Sequence, residues 1–171
     1  MGESRKVKST LYVMIGAPGS GKTTLAKANA EHTGAVHISR DEVRFSLITD
    51  KDNYFAKENQ VYKTFTKLIS DNLAAGHTVI ADATHLNKKS RYKLFHNIHY
   101  NPLETTVIGI YMDIPLETCL ERNDTRKGGR TFVPPHDLYN MYEHLQPPTY
   151  DEPFDYIYIF DGKKMTLMGR K

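Results

Sequence analysis

The chain is poor in cysteine. Cys119 is the only one in 171 residues, which excludes an internal disulfide and fits a reducing compartment such as the cytoplasm. Leu116 and Leu120 stand at helical spacing around it, so the thiol reads as part of a helix core. Long hydrophobic runs are also missing: nothing approaches the roughly 18 consecutive apolar residues of a membrane span, and no membrane association is expected. The opening MGESRKVKS has no apolar stretch leading to a cleavage site, and position 6 is Lys6, so neither a signal peptide nor myristoylation is expected. Excess charge of one sign is small. The net charge is +3, and much of it lies in the terminal runs RKVK and GRK, which read as solvated tails. That balance permits a polyanionic partner without demanding one. No internal repeat or low-complexity block occurs, and the length suits a single domain over residues 1–171.

What the sequence has is alternation. Short apolar, β-branched runs predict strands at 10–15, 35–38, 78–82, 105–112 and 156–160. Continuous rather than alternating hydrophobicity is the mark of strands covered on both faces. Helical patterns lie between them at 22–32, 40–48, 53–75, 87–98, 115–123 and 134–145. In 53–75, Tyr54, Val61, Tyr62, Phe65, Leu68, Ile69 and Leu73 fall on one stripe, with Gly76 as a stop. This predicts an α/β fold: a central parallel sheet of about five strands with helices on both faces. Ligands of such sheets bind beyond the carboxyl ends of the strands, so the residues just after each strand carry the argument.

After the first strand comes GAPGSGKTT, residues 16–24. Gly16, Gly21, Lys22 and Thr23 satisfy G-x-x-x-x-G-K-[ST] between a strand and a helix, the context that motif requires. The stretch Gly16, Ala17, Pro18, Gly19, Ser20 and Gly21 can fold its backbone N–H groups around a phosphate, and Lys22, Thr23 and Thr24 open the helix whose dipole favours that anion. Lys22 can reach the β- and γ-phosphates, and the Thr23 hydroxyl can bind Mg²⁺. A P-loop NTPase domain binding ATP and Mg²⁺ is expected. A guanine-nucleotide switch is excluded: no D-x-x-G occurs, and NKKS at 87–90 lacks the Asp of a base-reading N-K-x-D.

After the second strand comes SRDEVR, residues 39–44. Ser39 and Glu42 have capping-box spacing, which puts Asp41 in the first helical turn and Arg44 on its face. Such a pair can hold a hydroxyl and an anion together, although the same residues also suit an ordinary helix start. After the third strand comes ADATHLN, whose Asp82 stands where P-loop proteins often keep a carboxylate near Mg²⁺. His85 reads as polar filling. His96 and His99, at i and i+3, have no third ligand beside them. Arg122, Arg126 and Arg130, with Lys127 and two glycines, make the loop at 123–135 an arginine-bearing lid. Charge on the equatorial oxygens of a phosphoryl transition state is what such a lid would neutralise. A solvated basic loop is the alternative.

In this order GAPGSGKTT, SRDEVR, ADATHLN and RNDTR…VPP resemble the kinase domain of phage-type 5′-polynucleotide kinases, over about residues 11–160. The resemblance implies ATP-dependent phosphoryl transfer to the 5′-hydroxyl end of DNA or RNA. It implies that Asp41 is the general base and that Arg44 grips a phosphate of the acceptor strand. Lys22 and Arg126 serve the donor phosphates, with Arg122 and Arg130 as further lid contacts. Thr23 and Asp82 belong to Mg²⁺, and Asp82 and Thr84 to the polar floor under the acceptor. Bifunctional members add a phosphatase domain opening with D-x-D-G-T. Asp161-Gly162 lacks the first Asp, so no 3′-phosphatase activity is expected. A P-loop kinase of a small, non-polymeric hydroxyl acceptor is the alternative, and a nucleotide-dependent binding module without transfer is a third reading. The sequence leaves the oligomeric state open.

Overall fold

The computed structural model describes residues 8–170. Most of the RKVK run lies outside the described residues, but in GRK Arg170 is not a free solvated tail: it donates to the Asp155 carbonyl and lies 4.5 Å above the Tyr150 ring. Elements follow the expected alternation: β1 (Ser9–Ile15), α1 (Lys22–Thr33), β2 (Val36–Ser39), α2 (Arg40–Leu47), α3 (Glu58–Ala74), β3 (Thr78–Asp82), α4 (Lys88–Asn97), β4 (Thr105–Met112), α5 (Leu116–Asp124), α6 (Pro135–Glu143), β5 (Tyr156–Phe160) and β6 (Met165–Leu167). The strands form one six-stranded sheet in the order β2-β3-β1-β4-β5-β6. The first five are parallel and β6 runs antiparallel to β5. β6 is the strand the sequence reading missed. All three of its residues are exposed, so burial imprinted no apolar pattern on it. Asp161 makes the reversal into it by accepting from the backbone N–H groups of Lys163 and Lys164, with Gly162 at φ 99°.

Strand periodicity sorts the core into two layers. Leu11, Val13 and Ile15 of β1 pack with Phe65, Ile69 and Leu73 of α3 and Leu94 of α4. Met14, on the other face of β1, packs with Ala26 of α1, Cys119 of α5 and Leu138 of α6. Helices thus cover both faces, and the expected parallel α/β sheet is the one observed. Cys119 is fully buried.

The helix expected over 53–75 begins only at Glu58, and Tyr54 lies in the turn before it. Leu68 is also off the buried stripe, being about 100° round the helix from Ile69, and it is exposed together with Tyr54. Because β1 to β5 are parallel, their carboxyl ends share one edge of the sheet. The order reverses at β1, whose neighbours are β3 and β4, so the ligand crevice of this fold opens beside the end of β1. Among the described residues, no helix is long and apolar enough to cross a membrane.

Candidate active site

The turn from β1 into α1 is closed by backbone contacts. Gly16 N–H donates to the Thr84 carbonyl at 3.0 Å, and Ser20 N–H to the Ala17 carbonyl at 3.1 Å. Gly19 and Gly21 hold φ of 80° and 91°, a region that side chains disfavour. A Cβ on Gly19 would sit 2.4 Å from the Cys119 carbonyl oxygen, and one on Gly16 would sit 2.6 Å from the Ser20 hydroxyl. Glycine is therefore required here by close approach as well as by φ. The Ser20 hydroxyl is buried without a partner among the described residues. An orphaned donor in a turn of inward backbone, at a helix N-terminus, fits an oxyanion ligand such as a phosphate.

Lys22, Thr23 and Asp82 meet beside this turn. Burial pushes the Lys22 ammonium below the ordinary lysine range, the Asp82 and Asp41 carboxylates act against that, and Arg126 adds to it. Thr23 Oγ1 donates to Asp82 Oδ2 at 2.8 Å, and His37 Nε2 lies 2.8 Å from the same oxygen. Burial alone would raise the Asp82 carboxyl. The His37 bond, the Lys22 charge and the Thr23 bond outweigh it and hold the group below its usual value. Since Thr23 gives its proton to Asp82, its lone pairs stay available to a cation. This donor set, all oxygen on the protein side, suits Mg²⁺.

A second cluster, at the start of α2, is built from side chains. Ser39 caps α2 by accepting from Glu42 N–H, one arm of the expected capping box, and Asp41 sits in the first turn. Arg44 Nη1 donates to Asp41 Oδ1 at 3.0 Å and to the Tyr54 hydroxyl at 2.8 Å, while Nη2 donates to Glu58 Oε2 at 2.6 Å. Tyr54 in turn donates to Asp41 Oδ1 at 2.6 Å. The Arg44 guanidinium lies 4.1 Å above the Tyr54 ring, and Arg40 pairs with Glu58 as well. Arg44 is thus buried within an acidic and aromatic cage, whereas the Asp41 side chain remains 46% exposed. Asp41 Oδ2 has no hydrogen-bond partner among the described residues.

The lid at 125–134 joins α5 to α6. Asn123, almost fully buried, pins its two ends together: its amide donates to the Val133 carbonyl at 2.6 Å and accepts from Val133 N–H at 3.0 Å. Arg122 Nη1 reaches the Gly19 carbonyl at 3.4 Å, and the charge of Arg126 is felt at Lys22 and Cys119. Arg122 thus touches the cradle, and Arg126 acts on it through its charge alone. Arg130 does not join them. Its guanidinium stacks 4.2 Å above the Phe45 ring and pairs at 3.9 Å with Asp50, next to the α2–α3 connection.

The third-strand loop is fixed by buried contacts. His85 is buried at φ 44° with Nδ1 2.7 Å from the Met14 carbonyl, and burial pushes its pKa down to about 4. It is neutral structural filling, as expected of it. Fully buried Arg91 donates to the His85 carbonyl at 2.8 Å and ion-pairs with Glu152 at 2.6 Å, fixing the loop from below. His96 stacks on Tyr92. Thr84 contributes its carbonyl to the cradle. Sequence reasoning missed His37, Tyr54, Glu58 and Asn123. For His37 a signal existed once topology was known, because β2 pairs β3 with Ser39 opposite Asp82.

A family model described as an AAA domain matches residues 11–148. No curated protein matches the chain. Among solved structures, a chain of the Pnkp1/Rnl/Hen1 RNA repair complex is 25% identical with a TM-score of 0.69, covering 82% of this chain and 45% of that one. The present chain therefore spans less than half the length of that relative. A gluconokinase from Sinorhizobium meliloti 1021 is 21% identical, TM-score 0.59, covering 94% and 86% of the two chains. A fungal RNA kinase is 19% identical, TM-score 0.63, covering 92% and 76%. The last two likenesses show the P-loop kinase fold and say nothing of the acceptor.

Proposed function

The chain belongs to the AAA domain family, and from that premise we propose that it is an ATP-dependent kinase acting on the 5′-hydroxyl end of a polynucleotide. The observation that carries this reading is the Asp41 carboxylate: half open to solvent, with one oxygen unengaged, and close enough to the cradle for its charge to act on Lys22. A base so placed can receive an alcohol from solvent on the side facing the donor phosphate. The relative in the RNA repair complex supports a nucleic-acid acceptor.

In the transfer, the acceptor oxygen forms its bond to the terminal phosphorus while the bond from that phosphorus to the ADP oxygen breaks. The hydroxyl proton passes to Asp41 Oδ2. Tyr54 and Arg44 occupy Oδ1 and so leave Oδ2 for the acceptor. Lys22 and Arg126 offset charge on the transferring oxygens, and Arg122 steadies the cradle through the Gly19 carbonyl. Mg²⁺, when bound, neutralises the β- and γ-phosphates; Thr23 would hold it, with Asp82 bonding the Thr23 hydroxyl or a water of the ion. Arg44, whose Nε is buried without a partner among the described residues, would meet a phosphate of the acceptor strand only on leaving its cage, and Thr84 and Asp82 form the floor. Buried, unpaired Cys119 suits a reducing cytoplasm.

The test is γ-labelled ATP offered with a 5′-hydroxyl oligonucleotide, a mononucleoside or a hexose. Label is expected on the oligonucleotide. Label on the nucleoside or sugar alone would establish the small-acceptor alternative, and ATP binding without transfer to any would establish a binding module.

A further inference from the structure

A cavity of about 180 Å³ lies beyond Tyr54, lined by Phe45, Ile48, Thr49, Asp50, Asp52, Tyr54 and Arg130. Nothing in the transfer chemistry uses it. Its lining combines flat faces with acceptor edges. Phe45 and Tyr54 are set edge to face with centroids 6.3 Å apart, and Arg130 stacks on Phe45. Two carboxylates stand among them. Asp52 is engaged with the backbone N–H and hydroxyl of Thr49, while Asp50 is almost fully exposed and only loosely paired with Arg130. Carboxylates at the lining disfavour a phosphate occupant. An uncharged heteroaromatic ring satisfies both features: its faces meet aromatic and guanidinium planes, and its N–H edge meets carboxylate oxygens.

Position narrows the ring to one. Tyr54 forms part of the lining, and its hydroxyl is bonded to Asp41, so the cavity is one side chain away from the oxygen that receives the acceptor's proton. We infer that this cavity is a binding site for the nucleobase of the acceptor's 5′-terminal nucleotide. This inference deepens the proposed function and rests on it.

The experiment compares a 5′-hydroxyl oligonucleotide with the same strand made abasic at its terminal nucleotide, using the full chain as wild type, Phe45→Ala, Phe45→Leu and Arg130→Ala. Wild type is expected to lose about 10–100-fold in kcat/KM on the abasic strand, the scale of one stacked base. Phe45→Ala and Arg130→Ala should lose several-fold on the intact strand and almost nothing on the abasic one, with KM for ATP unchanged. Phe45→Leu, which keeps bulk without a π face, should behave as Phe45→Ala does if stacking is the cause. Equal wild-type activity on the two strands would overturn the inference while leaving the kinase reading intact. So would equal losses by the variants on both strands. If wild type phosphorylates neither strand but accepts a small hydroxyl compound, the polynucleotide reading fails and the base site with it.

Discussion

The donor and acceptor halves of the site are made of different material. The proposed donor half is mostly backbone: glycines at positive φ, a buried turn closed by main-chain hydrogen bonds, and a hydroxyl–carboxylate pair that joins α1 to β3. The acceptor half is a web of side chains, Asp41, Arg44, Tyr54, Glu58 and Arg40, strung between α2, an exposed connection at 48–57, and α3. Triphosphates are all alike, so a rigid backbone mould serves them. Acceptors differ, and a side-chain web can be rebuilt without touching the fold.

The comparison breaks most sharply at the base. Asp41→Asn is expected to lower kcat by about 10²–10⁴-fold, the usual range for a general base, while nucleotide binding, measured by titration calorimetry, stays unchanged. Full activity would remove Asp41 from the mechanism. Arg44→Ala affects both halves of the question. It strips Asp41 and Glu58 of their shared cation, so the protein should lose about 2 kcal/mol in denaturant unfolding, less than a fully buried pair because both carboxylates are partly solvated. Its KM for the acceptor should rise far more than its KM for ATP; equal rises would argue for a purely structural Arg44. Tyr54→Phe is a gentler probe. It removes the bond to Asp41 and the acceptor that Arg44 Nη1 uses beside it, and should lower kcat by about 3–10-fold, the scale of one or two hydrogen bonds, while Arg44 keeps its carboxylate partners.

A donor-side effect, confined to acidic solution, concerns pH. His85 stays neutral in the fold down to about pH 4, whereas the unfolded chain takes up the proton near the ordinary histidine value of 6.5. The unfolded state thus binds more protons between those values, and stability falls as pH drops through that window and levels off below about 4. The loss is on the order of 3 kcal/mol. His85→Asn, a residue that tolerates positive φ, should flatten the curve of unfolding free energy against pH. An unchanged slope would point to other groups.

The donor half was legible in the sequence because its code is local. GAPGSGKTT carries its own geometry, and Asp82 ends an apolar run that can only be a strand. Asp41 and Arg44 were legible as neighbours on a helix, but not their partners. Glu58 meets Arg44 across a turn of no fixed pattern, and His37 meets Asp82 only because β2 lies beside β3. Tyr54 was misread as a core position since helical periodicity, extended five residues too far back, assigned it to the α3 stripe. Arg130 was grouped with Arg122 and Arg126 by proximity in sequence. In space the lid is long enough for its far end to reach a different set of neighbours.

That reach has a thermodynamic corollary. One tethered segment, its ends clasped by the Asn123 amide, touches the phosphate cradle through Arg122 and the α2–α3 connection through Arg130. Whichever reactant first immobilises the segment has already met the entropy cost for the other. Each should therefore bind more tightly in the other's presence, by the same factor in both directions, and cutting the clasp with Asn123→Ala should uncouple them.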